Sequence, residues 1–399
     1  MSPLSGISRT VIALGIASFF TDLSSEMIYP LLPAFVAGVL GAQAIALGAI
    51  EGVAESTAAL LKAVSGWLSD HMKRRKPLIV SGYALAGLAR PLIGLATAWV
   101  AVLALRFVDR IGKGLRTSPR DALIADVTPE EHRGVAYGLH RAFDHAGAVV
   151  GPLVAALLLK GLGFSLRDVF LLAALPAVVV LFVLVFLVKE PERGAEARAA
   201  LSPREFPRAF RELGPGYRRL LVAVGLFTLG NAADVLILLR LQSAGLEAAW
   251  ISVLWSLHHV VKMTATFGGG WLADRVGRRE MLMAGWALFA LVFLALGLAS
   301  SVWVLVAIFL VYGLYFGLTE PAERALVAGL VPAERRGAAF GVFHGVIGLA
   351  ALPANLLFGV LYEQVSPLVA FSTAAGFALL GTLALFSVRA SDAADTEAR

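Results

Sequence analysis

The sequence contains no cysteine and few charged residues for its length. The absence of cysteine excludes disulfide bonds and thiolate metal sites, although it does not identify a compartment. Charged residues make up 16% of the 399 positions, whereas a soluble domain carries about a quarter. We find no nucleophile elbow, phosphate-binding loop or zinc signature. The sequence therefore predicts a protein that is not an enzyme and needs no cofactor.

Long apolar runs dominate what is present. Hydrophobic residues make up 58% of the chain, in runs of roughly 20 residues that are long enough to cross a bilayer. Such runs are too long for barrel strands, and an open strand cannot satisfy its backbone in lipid. The sequence thus predicts an all-α membrane protein with twelve transmembrane helices. The predicted helices cover residues 9–39, 44–69, 77–97, 99–119, 134–160, 167–188, 219–243, 247–273, 280–299, 302–325, 337–362 and 367–388.

The basic residues lie in short connections. They follow predicted helices 2, 4, 8 and 10, whereas the connections at 40–43 and 97–98 carry none. By the positive-inside rule, both termini are then cytoplasmic. In a soluble protein the net charge of +6 would suggest nucleic-acid binding, which we do not expect here. We expect a multi-pass monomer of the cell inner (plasma) membrane, whose partners are the lipid bilayer, a small-molecule substrate and protons.

The longest polar stretch, 189–218, divides the helices six and six. We predict an N-terminal six-helix bundle over 1–188, a cytoplasmic linker over 189–218, and a C-terminal six-helix bundle with a short tail over 219–399. Within the linker, the apolar spacing over 203–213 is as compatible with a surface helix as with a disordered segment.

The two halves repeat each other. The segment Gly66–Asp70 matches Gly270–Asp274, and Ala122–Ala125 matches Ala325–Ala328, at nearly the same offset. Internal repeats of six helices imply a binding site near the midplane, between the halves.

The repeated loop resembles a signature of the major facilitator superfamily, Gly-x-Leu-x-Asp-Arg-x-Gly-Arg-Arg. The copy that begins at Gly270 is complete, whereas the copy that begins at Gly66 has His71 and Lys73 in place of an arginine and a glycine. The resemblance implies two six-helix repeats and a cytoplasmic latch that breaks and remakes as the halves rock. Alternatively, the loop only sets topology. The predicted latch residues are Gly66, Asp70, Arg74, Gly270, Asp274, Arg275 and Arg278.

Predicted helix 5 resembles the antiporter motif of the same superfamily. Its members are Gly138, Gly147, Gly151 and Pro152, with two alanines in place of the final glycine pair. The resemblance implies export by exchange, usually against protons. The alternative is a small-residue packing face. Predicted helix 4 departs from the drug-exporter pattern because several charges crowd it, so the resemblance does not fix the substrate.

Ionisable residues inside predicted helices are expensive in a bilayer and mark a pathway by default. Asp22 with Glu26, and Glu51 with Glu55, each share one helical face at spacing i, i+4. Such carboxylates are candidates for proton coupling. Alternatively, they form structural ion pairs. The predicted coupling residues are Asp22, Glu26, Glu51, Glu55, Arg106, Asp109, Arg110, Arg141 and Asp144.

The remaining polar residues in the predicted helices are candidates for substrate binding. They are Arg90, His140, Asn231, Asp234, His258, His259 and Lys262. The leading interpretation is a proton-coupled antiporter that exports a drug-like compound or a metabolite by alternating access. Efflux of a divalent transition metal is the alternative, although we assign no metal site because adjacent histidines point about 100° apart on a helix. A transporter-like receptor without transport is a third possibility.

Overall fold

The computed structural model describes residues 8–72, 74–129, 132–190, 214–331 and 336–388, and within these ranges it contains helices and no strand. The all-α prediction is therefore confirmed. The helices are α1 (Arg9–Ile28), α2 (Ala44–His71), α3 (Lys76–Leu92), α4 (Trp99–Asp126), α5 (Arg133–Ala156), α6 (Leu166–Leu172 and Ala174–Phe182), α7 (Pro215–Gly230 and Asp234–Ser243), α8 (Ala248–Val276), α9 (Arg278–Leu298), α10 (Val302–Gly329), α11 (Arg336–Gln364) and α12 (Pro367–Leu385).

A helix occupies each of the twelve predicted positions. Ten of the described helices are long and apolar enough to cross a membrane. The other two are α4, which carries Arg106 and Arg110, and α8, which carries His258 and His259. The clearest difference in length is in α4, which continues past its predicted end at 119 to Asp126.

The seventh helix is broken where the sequence predicted a continuous span. The backbone leaves the helical conformation at Asn231 (φ −87°, ψ 76°), and a new helical segment begins at Asp234. The side chain of Asn355 in α11 accepts a hydrogen bond of 2.8 Å from the N–H of Ala233. This bond satisfies one of the backbone groups that the break leaves without a helical partner. The prediction of an unbroken helix over 219–243 is therefore wrong.

The helix ends also contain irregular turns. A 3₁₀ turn at Tyr29–Leu31 and a π-helical segment at Ala34–Val39 follow α1. Pro30 and Pro33 lie in this region and have no N–H to donate, which interrupts the regular bonding pattern.

Contacts divide the chain into two compact units. The first unit contains residues 1–40, 57–200 and 247–256, and the second contains the remainder. The start of α2 therefore belongs to the second unit and the start of α8 to the first. The predicted domain boundaries at 188 and 219 stay predictions. The segment 203–213, for which a surface helix and a disordered segment were both compatible with the sequence, lies outside the described residues.

In the first unit, α1 packs along α5 and against α6, and α3 packs along α4. Fully buried aliphatic side chains fill the space between α1, α3, α4 and α6. Examples are Val11, Leu14, Ile79, Ile124 and Leu184. Because a surrounding bilayer is as apolar as these side chains, close packing rather than water exclusion holds the helices together.

In the second unit, α9 packs against α10 and α12, and α7 packs against α11 and α12. Its core is aromatic. The ring of Phe227 stacks on Trp286 with centroids 4.4 Å apart, and Phe289 stacks on Phe293 at 3.9 Å. These large rigid side chains give α7 and α9 a defined packing.

Candidate functional site

A buried carboxylate in α4 is surrounded by arginines. Asp109, whose side chain is 1% exposed, accepts hydrogen bonds from Arg90 Nε at 2.9 Å and Arg106 Nη1 at 3.3 Å. The Nε of Arg110 lies 4.0 Å from the same carboxylate. Arg90 also donates to the carbonyl oxygen of Thr21 at 2.9 Å. The group joins α1, α3 and α4 around one carboxylate.

A second carboxylate lies between α1 and α5. Asp144 accepts a hydrogen bond from the hydroxyl of Ser18, and its Oδ2 lies 3.6 Å from His140 Nδ1 and 3.5 Å from Arg141 Nη1. His140 is buried, whereas the Arg141 side chain is 54% exposed. The contact with Arg141 is therefore weak. Arg120 reaches the same group through Ser18, at 3.4 Å.

The predicted coupling residues of α1 face this group. Asp22 interacts electrostatically with Asp144 and with Glu26. The structure thus brings together the carboxylates of Asp22, Glu26 and Asp144, which lie on two helices. It adds the hydroxyl of Ser18, which donates to Asp144. Glu26 also accepts a hydrogen bond of 2.8 Å from the indole of Trp255, within the part of α8 that belongs to the first unit.

The other predicted carboxylate pair lies on the start of α2, which belongs to the second unit. Glu51 is fully buried and Glu55 is half-buried. The backbone of α2 lies close to α11 here, because a Cβ on Gly52 would meet Leu352 Cδ1 at 2.9 Å.

The remaining candidates of the second unit lie around α8 and α10. Asp234 accepts a hydrogen bond from the hydroxyl of Tyr312 at 2.9 Å. The ring of His258 stacks on Phe309 with centroids 4.5 Å apart, and its Nδ1 lies 3.1 Å from the Phe309 carbonyl oxygen. The neighbouring His259 ring is turned by 85° relative to His258. His258 is thus part of a packed aromatic layer.

Lys262 has two neighbours on α10. Its Nζ lies 3.2 Å from Glu320 Oε1 and 3.7 Å from the ring centroid of Phe316. Asn231 lies at the break in α7. The cation of Lys262, the carboxylate of Glu320 and the break in α7 therefore all belong to the second unit.

Several residues of these groups were not among the predicted ones. Glu320 and Glu323 lie within predicted helix 302–325, and the rule for intramembrane charges applies to them as well. Ser18, Trp255 and Tyr312 give no comparable signal, because such residues are common in membrane helices and only their contacts mark them.

The latch residues are only partly described. The side chains of Asp70 and Asp274 and the surroundings of Gly270 lie outside the described part of the chain. A Cβ on Gly66 would lie at an ordinary 3.5 Å from Ser118, so this position in the described part of the chain has room for a larger residue. Arg278 donates to the carbonyl oxygen of Ala325 at 3.2 Å.

Two other latch residues have exposed settings. The Arg275 guanidinium lies 3.8 Å from the ring centroid of Trp271, and Arg74 is exposed. Gly277 allows the sharp turn between α8 and α9, because its φ of +110° is unfavourable for other residues.

Two glycines of the antiporter motif lie against α1. A Cβ on Gly151 would meet the Leu23 carbonyl oxygen at 2.7 Å and Glu26 Cβ at 3.2 Å, and a Cβ on Gly147 would meet Asp22 Cβ at 3.1 Å. Pro152 is buried in α5. Gly138 has open space around it and takes no part in this contact. The motif therefore sets the approach of α5 to the carboxylate face of α1.

This difference between the glycines gives a matched test. Gly151→Ala should lower the thermal midpoint of the detergent-solubilised protein, because α1 and α5 must separate to admit the methyl group. Gly138→Ala should leave the midpoint unchanged. Equal midpoints for the two variants would show that the α1–α5 approach does not depend on Gly151.

No group of three or more histidine, aspartate and glutamate residues within the described part of the chain is arranged to hold a metal ion. His140 and Asp144, which share a helix face, form only a pair.

Two helical units with charged residues inside apolar helices define the class of the protein, a multi-pass membrane transporter. The chain belongs to the major facilitator superfamily, whose family model (Major Facilitator Superfamily) matches residues 14–239 and 219–399. The resemblance identified from the repeated loop is thereby confirmed.

Known proteins are similar over most of the chain. An uncharacterized MFS-type transporter of Methanocaldococcus jannaschii is 30% identical over 387 residues, which covers 95% of each chain. The multidrug resistance protein MdtH of Salmonella arizonae is 26% identical over 81% of this chain and 78% of its own. The crystal structure of the nucleoside transporter NupG has a TM-score of 0.76 at 14% identity, over 96% of this chain and 99% of its own.

Proposed function

We propose that the protein exports a small organic solute in exchange for protons, by alternating access. Two similarities support a small organic solute: one relative is named a multidrug resistance protein, and one structural neighbour is a nucleoside transporter. The antiporter motif supports exchange. We also propose that the protein lies in the cell inner membrane with both termini in the cytoplasm, since the basic loops are cytoplasmic under the positive-inside rule.

The observation that carries the proton coupling is the carboxylate group between α1 and α5. The carboxylates of Asp22 and Asp144 interact electrostatically. A proton bound by either of them removes the repulsion between two negative charges. Asp109 differs, because three arginines surround it and a proton would have to compete with them. We therefore assign proton carriage to Asp22 and Asp144, and a structural role to Asp109.

The same group offers a path for the proton. His140 precedes Asp144 by one helical turn in α5. The Nδ1 atom of His140 lies 3.6 Å from Oδ2 of Asp144. Under the proposed topology, α5 starts at the cytoplasmic side, so His140 is the inner member. An imidazole that can both accept and donate is suited to pass a proton to the carboxylate.

The second unit supplies the proposed substrate contacts. The break at Asn231 exposes backbone groups within α7, which is a common feature of transporter binding sites. Asp234, His258, His259 and Lys262 lie on α7 and α8 of that unit. Arg90 is removed from the proposed substrate contacts, because it is held by Asp109 and Thr21.

Reconstitution tests the proposal. Proteoliposomes with an acidic lumen should accumulate an organic probe, with ethidium and uridine tested separately, and a trapped pH dye should report simultaneous loss of protons. Protein-free liposomes and a protonophore are the controls. Accumulation that ignores the pH gradient would contradict proton coupling. Movement of Zn²⁺ or Ni²⁺ with no movement of either organic probe would contradict the substrate class.

A further inference from the structure

The indole of Trp255 is bonded directly to a candidate coupling residue. Its Nε1–H donates to Glu26 Oε2 at 2.8 Å, and the Trp255 side chain is buried. The other carboxylate oxygen, Oε1, lies 3.4 Å from the Ser25 hydroxyl. The ring of Tyr29, one turn further along α1, packs against Trp255 with centroids 5.2 Å apart. Trp255 therefore fixes the position of the Glu26 carboxylate from another helix.

Two further contacts hold the start of α8 in the first unit. Ser256 Oγ donates to the carbonyl oxygen of Val149 in α5 at 2.8 Å. Lys160 Nζ and Glu247 Oε2 are 2.7 Å apart, and both side chains are more than half exposed, so this pair contributes little. Of the three contacts, the one through Trp255 involves a carboxylate that is a candidate to bind the transported proton.

The strength of this contact depends on the charge of Glu26. A hydrogen bond to a carboxylate is roughly twice as strong as one to a neutral acceptor. An indole N–H is only a donor, so it cannot accept a hydrogen bond from the O–H of a protonated Glu26. Proton uptake by Glu26 therefore weakens the bond, whereas proton release strengthens it.

We propose that Trp255 is a positioning residue that makes the docking of residues 247–256 depend on the charge of Glu26. Charged Glu26 holds the start of α8 against α1, and protonated Glu26 releases it. The inference deepens the proposed proton exchange, on which it rests, by naming the contact through which a bound proton acts on a second helix.

Other charged groups surround Glu26 and must be separated from it. Asp22 on α1 interacts with Glu26, and Asp144 on α5, with Lys113 and Arg116 on α4, acts on Asp22. From α4, the guanidinium of Arg106 lies 5.7 Å from the Tyr29 ring centroid. Asp22 and Asp144 are the other carboxylates of this group, so neutral variants of both are included in the test.

A distance measurement tests the proposal without a transported solute. Because the natural chain has no cysteine, Leu162→Cys and Trp250→Cys place spin labels at two chosen sites only. Leu162 follows α5 and Trp250 lies near the start of α8, and both are exposed. The labelled full-length protein, in lipid nanodiscs, is measured by pulsed electron resonance at a single pH, together with its variants.

We expect the distance in the parent to be short and narrowly distributed. In the same labelled background, Glu26→Gln, which keeps a hydrogen-bond acceptor but removes the charge, should show a longer distance. Trp255→Phe, which keeps an aromatic ring but removes the donor, should show the longer distance as well. Trp303→Phe, at an exposed position in α10, should behave as the parent does.

The proposal is overturned if Glu26→Gln or Trp255→Phe keeps the parent distance. It is also overturned if Asp22→Asn or Asp144→Asn lengthens the distance while Glu26→Gln leaves it unchanged. If the distances follow the expected pattern but the proteoliposomes move no solute against protons, the proposed exchange fails and the docking inference stands. If the proteoliposomes exchange solute for protons but Trp255→Phe keeps the parent distance, the docking inference fails and the proposed exchange stands.

Discussion

Asp144→Asn should abolish accumulation of the organic probe driven by a pH gradient, while exchange of probe against probe continues. The asparagine can still accept a hydrogen bond from Ser18, so the contact that Asp144 makes with α1 is preserved. It cannot take up and release a proton. Loss of a positioned proton-transfer group typically lowers a rate by 10²–10⁴-fold, and we expect a loss of about 100-fold or more in the gradient-driven rate. The measurement is the initial rate in proteoliposomes.

Two control variants define what the Asp144 result means. Asp144→Glu keeps an ionisable group and should retain part of the gradient-driven rate. Asp168→Asn changes a partly exposed acid in the capping box at the start of α6 and should transport as the parent does. If Asp144→Asn kept the full gradient-driven rate, Asp144 would have no place in the proton path. An equal loss of probe-for-probe exchange would indicate a structural role for it instead.

Asp109→Asn should have a different consequence, namely loss of stability. The substitution leaves Arg90, which is 4% exposed, beside a neutral amide, and removal of one member of a buried ion pair costs about 3–5 kcal/mol. We expect the thermal midpoint in detergent to fall by on the order of 10 °C, with reduced yield. The measurement is a thermal unfolding scan.

The control for Asp109 is Asp121→Asn. Asp121 pairs with Arg120 at 2.8 Å, but its side chain is 41% exposed, so the pair is worth about 1 kcal/mol or less. The double variant Asp109→Leu with Arg90→Met should recover part of the stability lost in Asp109→Asn, because it also removes the buried charge of Arg90. If Asp109→Asn unfolded at the parent midpoint and nevertheless lost transport, Asp109 would belong to the proton path and the structural assignment would be wrong.

These two predictions separate carboxylates that looked alike in the sequence. Asp109 and Asp144 both lie inside helices that carry arginines, and both were predicted as coupling residues. In the structure, Asp109 has guanidinium groups from α3 and α4 around it, whereas Asp144 has a hydroxyl, an imidazole and a second carboxylate. The spacing of charges along one helix does not reveal which neighbour a second helix supplies.

The sequence by itself determined the membrane class, the positions of the helices and the family. Hydrophobic length and the distribution of loop charge act locally along the chain, so they can be read without knowing which helices touch. The repeated loop identified the superfamily for the same reason, since its residues are contiguous. The break at Asn231 was missed because the apolar pattern of the sequence continues through it. The broken conformation is stabilised by a hydrogen bond from the N–H of Ala233 to Asn355, far along the chain.

Only the tertiary structure decided the partners of the ionisable residues. It placed two glycines of the antiporter motif against the carboxylate face of α1 and left Gly138 in open space. It also brought Trp255 to Glu26, across more than half of the chain. The physical reason is that the surroundings of a buried charge come from side chains on different helices. The order of residues along any one helix therefore does not predict which side chains will surround a buried charge.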